Sequence, residues 1–236
     1  MMKLDGKVTD ATGASVPSYI SVIDLKTNKR VFSGRPGTNG SFLVYLMEGS
    51  QYEVAIDPEQ SNITYFTKQY DLTSDKIPQG EKINAVLKPL SAGDELPLEG
   101  VRFLPASSNL DPSSFDDLKR LTRVMKANPQ FKFEIQVLLN GYYEDTIKSN
   151  PDLTEVFYDT LAMPIQDIDS LGQLYMRDSI EVRSTFHNDR TLKQAQSVIN
   201  YLITQGANSS SMTVFGNAIE AVRPEERKTT VKAVVR

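Results

Sequence analysis

Residues 191–206, "TLKQAQSVINYLITQG", describe one amphipathic helix with a defined end. Apolar side chains recur at steps of three and four residues, the spacing of a single buried helix face. They are Leu192, Ala195, Val198, Ile199 and Leu202. Thr191 and Gln194 have the spacing of a capping box, in which each side chain bonds the backbone amide of the other residue. Gly206 is a natural residue to follow the last turn, so the sequence predicts a helix from near Thr191 to Gln205.

The segments around this helix alternate between strand and helix patterns. Strand-like runs occupy residues 98–107, 131–139, 212–217 and 229–236. Residues 110–129 favour a second helix, which Asp111 or Ser113 can cap and Pro129 ends. The basic residues in its second half are interpreted as a solvated face that complements the helix dipole. They are Lys119, Arg120, Arg123 and Lys126.

Residues 141–187 interrupt this half of the chain with an insert that is much longer than an ordinary connection. Residues 153–163 and 173–186 carry many apolar side chains, and Ile180, Val182, Ser184 and Phe186 alternate in the second run. The pattern predicts an added β-hairpin, or a strand with a short helix, that covers a pocket or recognises a protein. Three acids in the insert lack the spacing of an EF-hand and are interpreted as exposed. They are Asp167, Asp169 and Asp178.

Residues 3–90 have β-type patterns throughout, with turn signals at intervals of roughly 8–12 residues that are typical of a β-sandwich. The expected strands are Leu4–Thr9, Ile20–Leu25, Val31–Ser33, Ser41–Tyr45, Tyr52–Ile56, Thr64–Tyr70 and Ile83–Lys88. Asn39–Gly40 is the strongest signal for a tight hairpin, because both central residues of a type I′ turn need a positive φ. Residues 91–97 are predicted to form a linker, since the prolines and glycine in and around this segment interrupt a β-ladder or a helix.

Length and composition narrow the classes of function. A chain of 236 residues has room for one or two domains, and its net charge of −4 lacks the cationic face that nucleic acid requires. No cysteine is present, and His187 is the single histidine, so disulfides, thiolate metal sites and histidine clusters are excluded. No P-loop, nucleophile elbow, HExxH or dinucleotide motif occurs. We therefore expect a protein that is not an enzyme and needs no cofactor.

The N-terminus lacks the apolar run of a secretory signal, and no stretch approaches the ~20 apolar residues of a membrane span. A strand-like opening directly after Met1 suggests a fragment of a longer protein whose targeting signal lies upstream.

The first half resembles a carboxypeptidase-regulatory-like domain, which has a transthyretin-like sandwich. The features that carry the resemblance are "GKVTD" at 6–10, the turn up to Pro17, the strand at 20–24, "NGSF" at 39–42, and residues 46–52. Such domains are mostly spacers or contact modules without chemistry. The resemblance implies an all-β sandwich over residues 1–90.

The second half resembles the OmpA C-terminal-like domain, with which many Gram-negative envelope proteins bind peptidoglycan. "VRF" at 101–103, "NLDP" at 109–112, "NP" at 128–129, "FEI" at 133–135 and Gly216 carry the resemblance, together with "AQSVINYL" at 195–202 before Gly206. It implies an α+β sandwich of order β-α-β-α-β-β over residues 98–236, with the insert at 141–187. It also implies a periplasmic location in association with the outer membrane.

In that family an aspartate at the end of the second strand and an arginine early in the next helix clamp diaminopimelate in the peptidoglycan stem peptide. The aligned positions here hold Asn140 and Gln194. Neutral amides bond a zwitterion more weakly than charged groups, so this clamp is degenerate. The capping box offers a purely structural role for Gln194.

A displaced clamp is the alternative for ligand binding. Asn188, Asp189 and Arg190 precede Thr191 and supply one carboxylate and one guanidinium beside the helix N-terminus. The competing interpretation is a solvated turn with a weak local ion pair. The leading functional expectation is a non-catalytic envelope protein that associates with stem peptide. The alternative is a protein-interaction scaffold of an envelope or secretion assembly that has lost peptidoglycan binding.

Overall fold

The structure is a computed structural model that describes residues 1–74, 78–105, 107–142, 155–187, 189–220 and 228–236. Side chains are described within these ranges except at positions 141, 142, 155, 187 and 220. The chain is mostly β-sheet with few helices. No helix in the described ranges is long and apolar enough to cross a membrane.

The first half consists of strands that form two sheets around one buried cluster. The strands are β1 (Met2–Thr9), β2 (Ser18–Asp24), β3 (Lys29–Gly34), β4 (Ser41–Leu46), β5 (Gln51–Pro58), β6 (Phe66–Asp71) and β7 (Gly80–Val86). One sheet has the order β4-β1-β7 and the other β3-β2-β5-β6. Alternate residues of each strand are buried in a shared cluster, for example Leu4 and Val44 from one sheet and Ile20 and Val54 from the other. The predicted β-strands of this half are confirmed.

The turn at Asn39–Gly40 differs from the predicted hairpin. Only Gly40 has a positive φ, of 81°, and the flanking strands β3 and β4 belong to different sheets. Asn39 instead uses its side-chain Oδ1 to accept from the amide of Ser41, at 3.0 Å. The hairpin prediction is wrong, because local turn chemistry specifies a change of direction but not the sheet that the next strand joins.

The second half alternates strands with two helices, and the insert forms a separate hairpin. The elements are β8 (Glu95–Pro97), α1 (Phe115–Ala127), β9 (Phe133–Tyr142), β10 (Glu155–Ile168), β11 (Leu174–His187), α2 (Thr191–Thr204), β12 (Met212–Glu220) and β13 (Lys228–Val235). Four of these strands form one sheet of the order β12-β9-β13-β8. In it β9 and β12 are parallel, and β13 is antiparallel to both of its neighbours. Both predicted helices and the strands at 131–139, 212–217 and 229–236 are confirmed.

The opening strand of this half lies earlier than predicted. Leu96, inside the expected linker, pairs with Ala233. Residues 98–105 of the expected strand at 98–107 form turns and a single bridge, between Phe103 and Leu110. Leu96 and Leu98 are both buried, so the chain joins the core of this half before Gly100. The amide of Gly100 then donates to Asp117 Oδ2 at 2.7 Å instead of to a neighbouring strand. The predicted strand at 98–107 is therefore wrong, and the segment expected as a linker at 91–97 contains the short strand β8.

Both helices pack on one face of this sheet and bury a second cluster. Val137 and Ala233 from the strands meet Leu121 from α1 and Val198 from α2. Leu192, which the spacing predicted to face inward, is 57% exposed, because the first turn of α2 directs it away from the sheet. Tyr65 from the first half joins this second cluster. The division into domains at residues 91–97 stays a prediction.

The insert forms a β-hairpin, the first of its two predicted alternatives. β10 and β11 are antiparallel and pair from Val156 with Phe186 to Ile168 with Leu174. At the tip, the amide of Asp169 donates to the carbonyl of Gln173 at 2.9 Å. None of the hairpin side chains that the structure describes, at 156–186, belongs to either buried cluster.

Candidate functional site

The predicted clamp residues at the start of α2 are engaged within the fold. Asp189 Oδ1 accepts from the amide of Thr191 at 2.8 Å. Gln194 is 9% exposed, and its Nε2 donates to the carbonyl of Ser107 at 3.3 Å. Arg190 occupies the N-cap position without a side-chain capping bond. The capping-box prediction is wrong, because the helix begins at Thr191 itself. The backbone amide of Thr191, which Gln194 was expected to bond, donates to Asp189 instead.

The first turn of α2 lies directly on Gly216 of β12. A Cβ atom on Gly216 would be 2.5 Å from the backbone nitrogen of Leu192 and 2.7 Å from Thr191 Oγ1. Thr191 is buried, and among the described residues its hydroxyl oxygen has no hydrogen-bond partner. Helix and strand are therefore in contact at this point, and a ligand cannot enter between them.

Asn140 lies on the other face of the sheet. Along β9, Ile135 and Val137 point into the core beneath the helices, so Leu138 and Asn140 point to the opposite side. Asn140 is exposed and pairs with Ile219 on one neighbour and Lys228 on the other. The sheet thus separates Asn140 from Thr191 and Gln194. Asn188 lies outside the described residues, as does the side chain of His187.

Asn140 lines a groove of about 680 Å³ on this open face. The other lining residues include Leu138, Gln69, Glu95, Glu99, Arg102, Lys228, Thr230 and Lys232. Several of its polar groups bond each other: Arg102 Nη2 donates to Gln69 Oε1 at 2.5 Å, and Lys232 Nζ lies 2.6 Å from Glu95 Oε1. The groove is polar and of mixed charge, which suits peptide-like groups better than a purely anionic or apolar ligand.

A buried charge cluster, which the sequence did not predict, connects the two halves. Arg120 of α1 donates from Nε to Asp57 Oδ1 at 2.8 Å, and its Nη1 contacts Glu53 Oε1 at 3.4 Å and also Asp117. Tyr65 places its ring beneath the guanidinium, with 5.6 Å between Cζ and the ring centroid. Arg120 is 5% exposed, so its assignment to a solvated face is wrong. The error arises because its partners Glu53 and Asp57 are more than sixty residues away in sequence.

Burial raises the pKa of Glu53 to about 8, and the neighbouring charge of Asp117 acts in the same direction. At neutral pH Glu53 is therefore held mostly as a neutral carboxylic acid beside the guanidinium of Arg120. The side chains of Glu53 and Asp117 are 5% and 1% exposed. Because neither carboxyl is open to a substrate, the arrangement joins the halves and does not form an acid–base pair of the glycosidase type.

This cluster predicts a pH dependence of stability. The folded chain keeps a proton on Glu53 that the unfolded chain loses above its ordinary pKa of 4.5. The free energy of unfolding should therefore fall as the pH rises from about 5 to about 8 and level off above that, because the unfolded state binds fewer protons in this window.

Urea unfolding across this pH range measures the effect, and Glu53→Gln provides the control. The amide is neutral at every pH, so the variant should lose most of the slope between about pH 5 and pH 8. An unchanged slope in the variant would contradict the assignment of the proton to Glu53.

Two of the three acids singled out in the insert have local partners. Asp167 Oδ2 lies 2.6 Å from Arg177 Nε, and Asp169 Oδ1 accepts from the amides of Leu171 and Gln173. Within the part of the chain that the structure describes, no group of three or more histidine, cysteine or acidic side chains is placed to hold a metal ion.

No family model matches the chain, and no curated protein matches it. Among solved structures, the chain is similar to the OmpA-like domain of FopA1 from Francisella tularensis subsp. tularensis SCHU S4. The two sequences are 12% identical, the match covers 81% of this chain and 77% of that chain, and the TM-score is 0.31. The chain is also similar to the Bacillus anthracis TIE protein, with 10% identity, 79% of this chain covered and a TM-score of 0.28, and it spans only 27% of that protein. At these TM-scores neither superposition establishes a shared fold.

Proposed function

We propose that this chain is a non-catalytic module of the bacterial cell envelope that contacts other proteins and lacks the stem-peptide clamp of OmpA C-terminal-like domains. The transthyretin-like half would act as spacer and contact module, and the OmpA-like half as a scaffold on the periplasmic side of the outer membrane. The family resemblance of both halves and the order β-α-β-α-β-β around the hairpin support this proposal.

The observation that carries the proposal is the position of Gln194. Its amide bonds the carbonyl of Ser107, so it holds the segment before α1 against α2 and is not presented to solvent. Asn140, at the second clamp position, lies across the sheet. A zwitterionic amino-acid end needs an anionic and a cationic group that face each other, and these two positions supply neither the charges nor the facing geometry.

The edge of the sandwich offers a surface for protein contact. β3 and β4 are edge strands of their sheets, and an apolar groove of about 360 Å³ lies between them. Four apolar side chains along it are exposed at 46% or more: Val31, Leu43, Tyr45 and Met47. Exposed apolar patches on a soluble surface commonly mark sites of protein interaction.

Association with peptidoglycan through a displaced clamp is the second candidate. It is favoured by the adjacent carboxylate and guanidinium of Asp189 and Arg190 at the N-terminus of α2. In this alternative, Asp189 and Arg190 would replace the family's charged pair.

Sedimentation with purified sacculi tests the proposal. We expect wild type to stay in the supernatant, and Asn140→Asp/Gln194→Arg to stay there too, because restoring the family residues on opposite faces of a sheet does not assemble a clamp. Circular dichroism confirms that the double variant is folded, since the new guanidinium replaces a nearly buried amide.

Two results would contradict the proposal. Retention of wild type that is lost in Asp189→Ala would support the displaced clamp. Retention gained by the double variant would mean that positions 140 and 194 reach the same ligand.

A further inference from the structure

The hairpin has two chemically different faces. Residues that pair across an antiparallel ladder share a face, so one face of the hairpin is formed by the even-numbered residues of both strands. We call it the apolar face; it consists of Val156, Tyr158, Thr160, Ala162, Pro164, Gln166, Ile168, Leu174, Met176, Asp178, Ile180, Val182, Ser184 and Phe186. Its single charged residue is Asp178. The other face, the charged face, holds two ion pairs, Asp167 with Arg177 and Glu181 with Arg183.

Large side chains on the apolar face are exposed to solvent. The exposed fractions are 71% for Tyr158, 61% for Ile168, 62% for Leu174, 61% for Met176, 68% for Ile180 and 57% for Val182. In the described ranges no other strand pairs with β10 or β11, and the hairpin joins neither buried cluster. An isolated two-stranded ribbon is at best marginally stable in water, so another surface must cover this face.

We propose that the apolar face packs against the same face of a second copy of this chain, related by a two-fold axis. The inference goes beyond the proposed function and does not depend on the result with sacculi. A two-fold contact brings identical surfaces together, which is tolerable only where like charges do not meet. The apolar face satisfies this condition, because Asp178 lies among thirteen uncharged residues.

Charge also argues against a lipid surface. The hairpin carries six acidic residues, Glu155, Asp159, Asp167, Asp169, Asp178 and Glu181, and two basic ones, Arg177 and Arg183, so residues 155–187 have a net charge of 2 − 6 = −4. Interfacial amphipathic elements use basic side chains to approach anionic lipid, and this hairpin would be repelled.

The available area matches what a specific dimer needs. Complete burial of a large apolar side chain removes roughly 100 Å² of apolar surface from water. The six exposed side chains therefore offer about 600 Å² on each copy, or about 1,200 Å² for two, which reaches the lower limit of specific protein interfaces.

If the two hairpins overlap completely and point in opposite directions, the residues that meet are determined. The apolar face has seven cross-strand rows, and Ala162 with Ile180 forms the middle one. In this arrangement the two-fold axis passes through the middle row, so Ile180 lies next to Ile180 of the second copy. The tip row of Ile168 and Leu174 then covers the base row, Val156 and Phe186, of the other hairpin.

Analytical ultracentrifugation of the full chain tests the dimer. We expect wild type to associate reversibly, Ile180→Asp to raise the dissociation constant at least about tenfold, and Met163→Asp to leave it unchanged. Met163 is the matched control, because it is an exposed apolar residue of the same hairpin on the charged face.

Cysteine cross-linking tests the geometry without interference, since the chain contains no cysteine. Ile180→Cys should form a disulfide-linked dimer on mild oxidation, and Glu181→Cys, on the charged face, should not. A wild type that stays monomeric, a dimer that survives Ile180→Asp, or equal cross-linking at both positions would overturn the proposal. Monomers that float with neutral phospholipid vesicles would overturn it in favour of a lipid contact.

Discussion

Arg120→Leu should destabilise the chain by roughly 3–5 kcal/mol, since removing one partner of a buried ion pair leaves an uncompensated charge. Arg120 touches three acidic side chains, Glu53, Asp57 and Asp117. Without it, Asp117 would lie 2% exposed with no cation beside it. Because Glu53 and Asp57 belong to the first half and Arg120 to the second, the loss falls on the junction between the halves. Urea or guanidinium denaturation at neutral pH measures the change.

Arg123→Leu is the matched control. Arg123 stands one turn further along α1 and also contacts Asp57, at 3.3 Å, but its side chain is 65% exposed. An exposed ion pair is worth under about 1 kcal/mol, so this variant should unfold nearly as wild type does. Equal losses in the two variants would mean that burial of the guanidinium does not determine its contribution.

Gly216→Ala should destabilise the second half by about 3 kcal/mol, at the upper end of typical overpacking costs. The added methyl group would lie 2.5 Å from the backbone nitrogen of Leu192, and backbone cannot rotate away as a side chain does. The first turn of α2 must therefore move off β12 and loosen the contact of Gln194 with Ser107. Denaturation gives the cost, and faster amide hydrogen exchange in the first turns of α2 locates it.

Asn217→Ala controls for a substitution in the same strand. Asn217 is the next residue, is exposed, and pairs with Leu138 on the face away from the helices. We expect a change within about 0.5 kcal/mol, as for most surface positions. If Gly216→Ala were as mild as this control, the close approach of α2 to β12 would be in error.

The sequence predicts those elements whose pattern is local. Both helices and the strands of the sandwich repeat their apolar residues at the period of the element. Gly206 follows the C-terminal cap of α2 with a φ of 86°, as its position indicated. The hairpin was one of two predicted alternatives, because its alternation at 180–186 is clear but its other strand contains Pro164.

The candidate site could be predicted less well, because it depends on contacts between distant segments. Gln194 has the correct spacing for a capping box, yet its partner is Ser107, 87 residues away. Arg120 stands among exposed basic residues in sequence, and only the packing of α1 on β5 buries it. The sequence did not predict β8, because a strand of three residues that ends in Pro97 gives too short a pattern. Leu96 pairs with Ala233 of β13, near the end of the chain. Asn140 lies inside β9, which runs on to Tyr142, and the face to which it points follows from the register.

The Arg120 cluster also has a mechanical consequence. A guanidinium that bonds side chains from both halves resists rotation about the connection between them, because any turn would separate charges that water does not reach. The groove at the sandwich edge and the four-stranded sheet of the second half are then held at a constant distance and angle. The two halves would move together as one body, and Arg120 would be the contact that prevents bending between them.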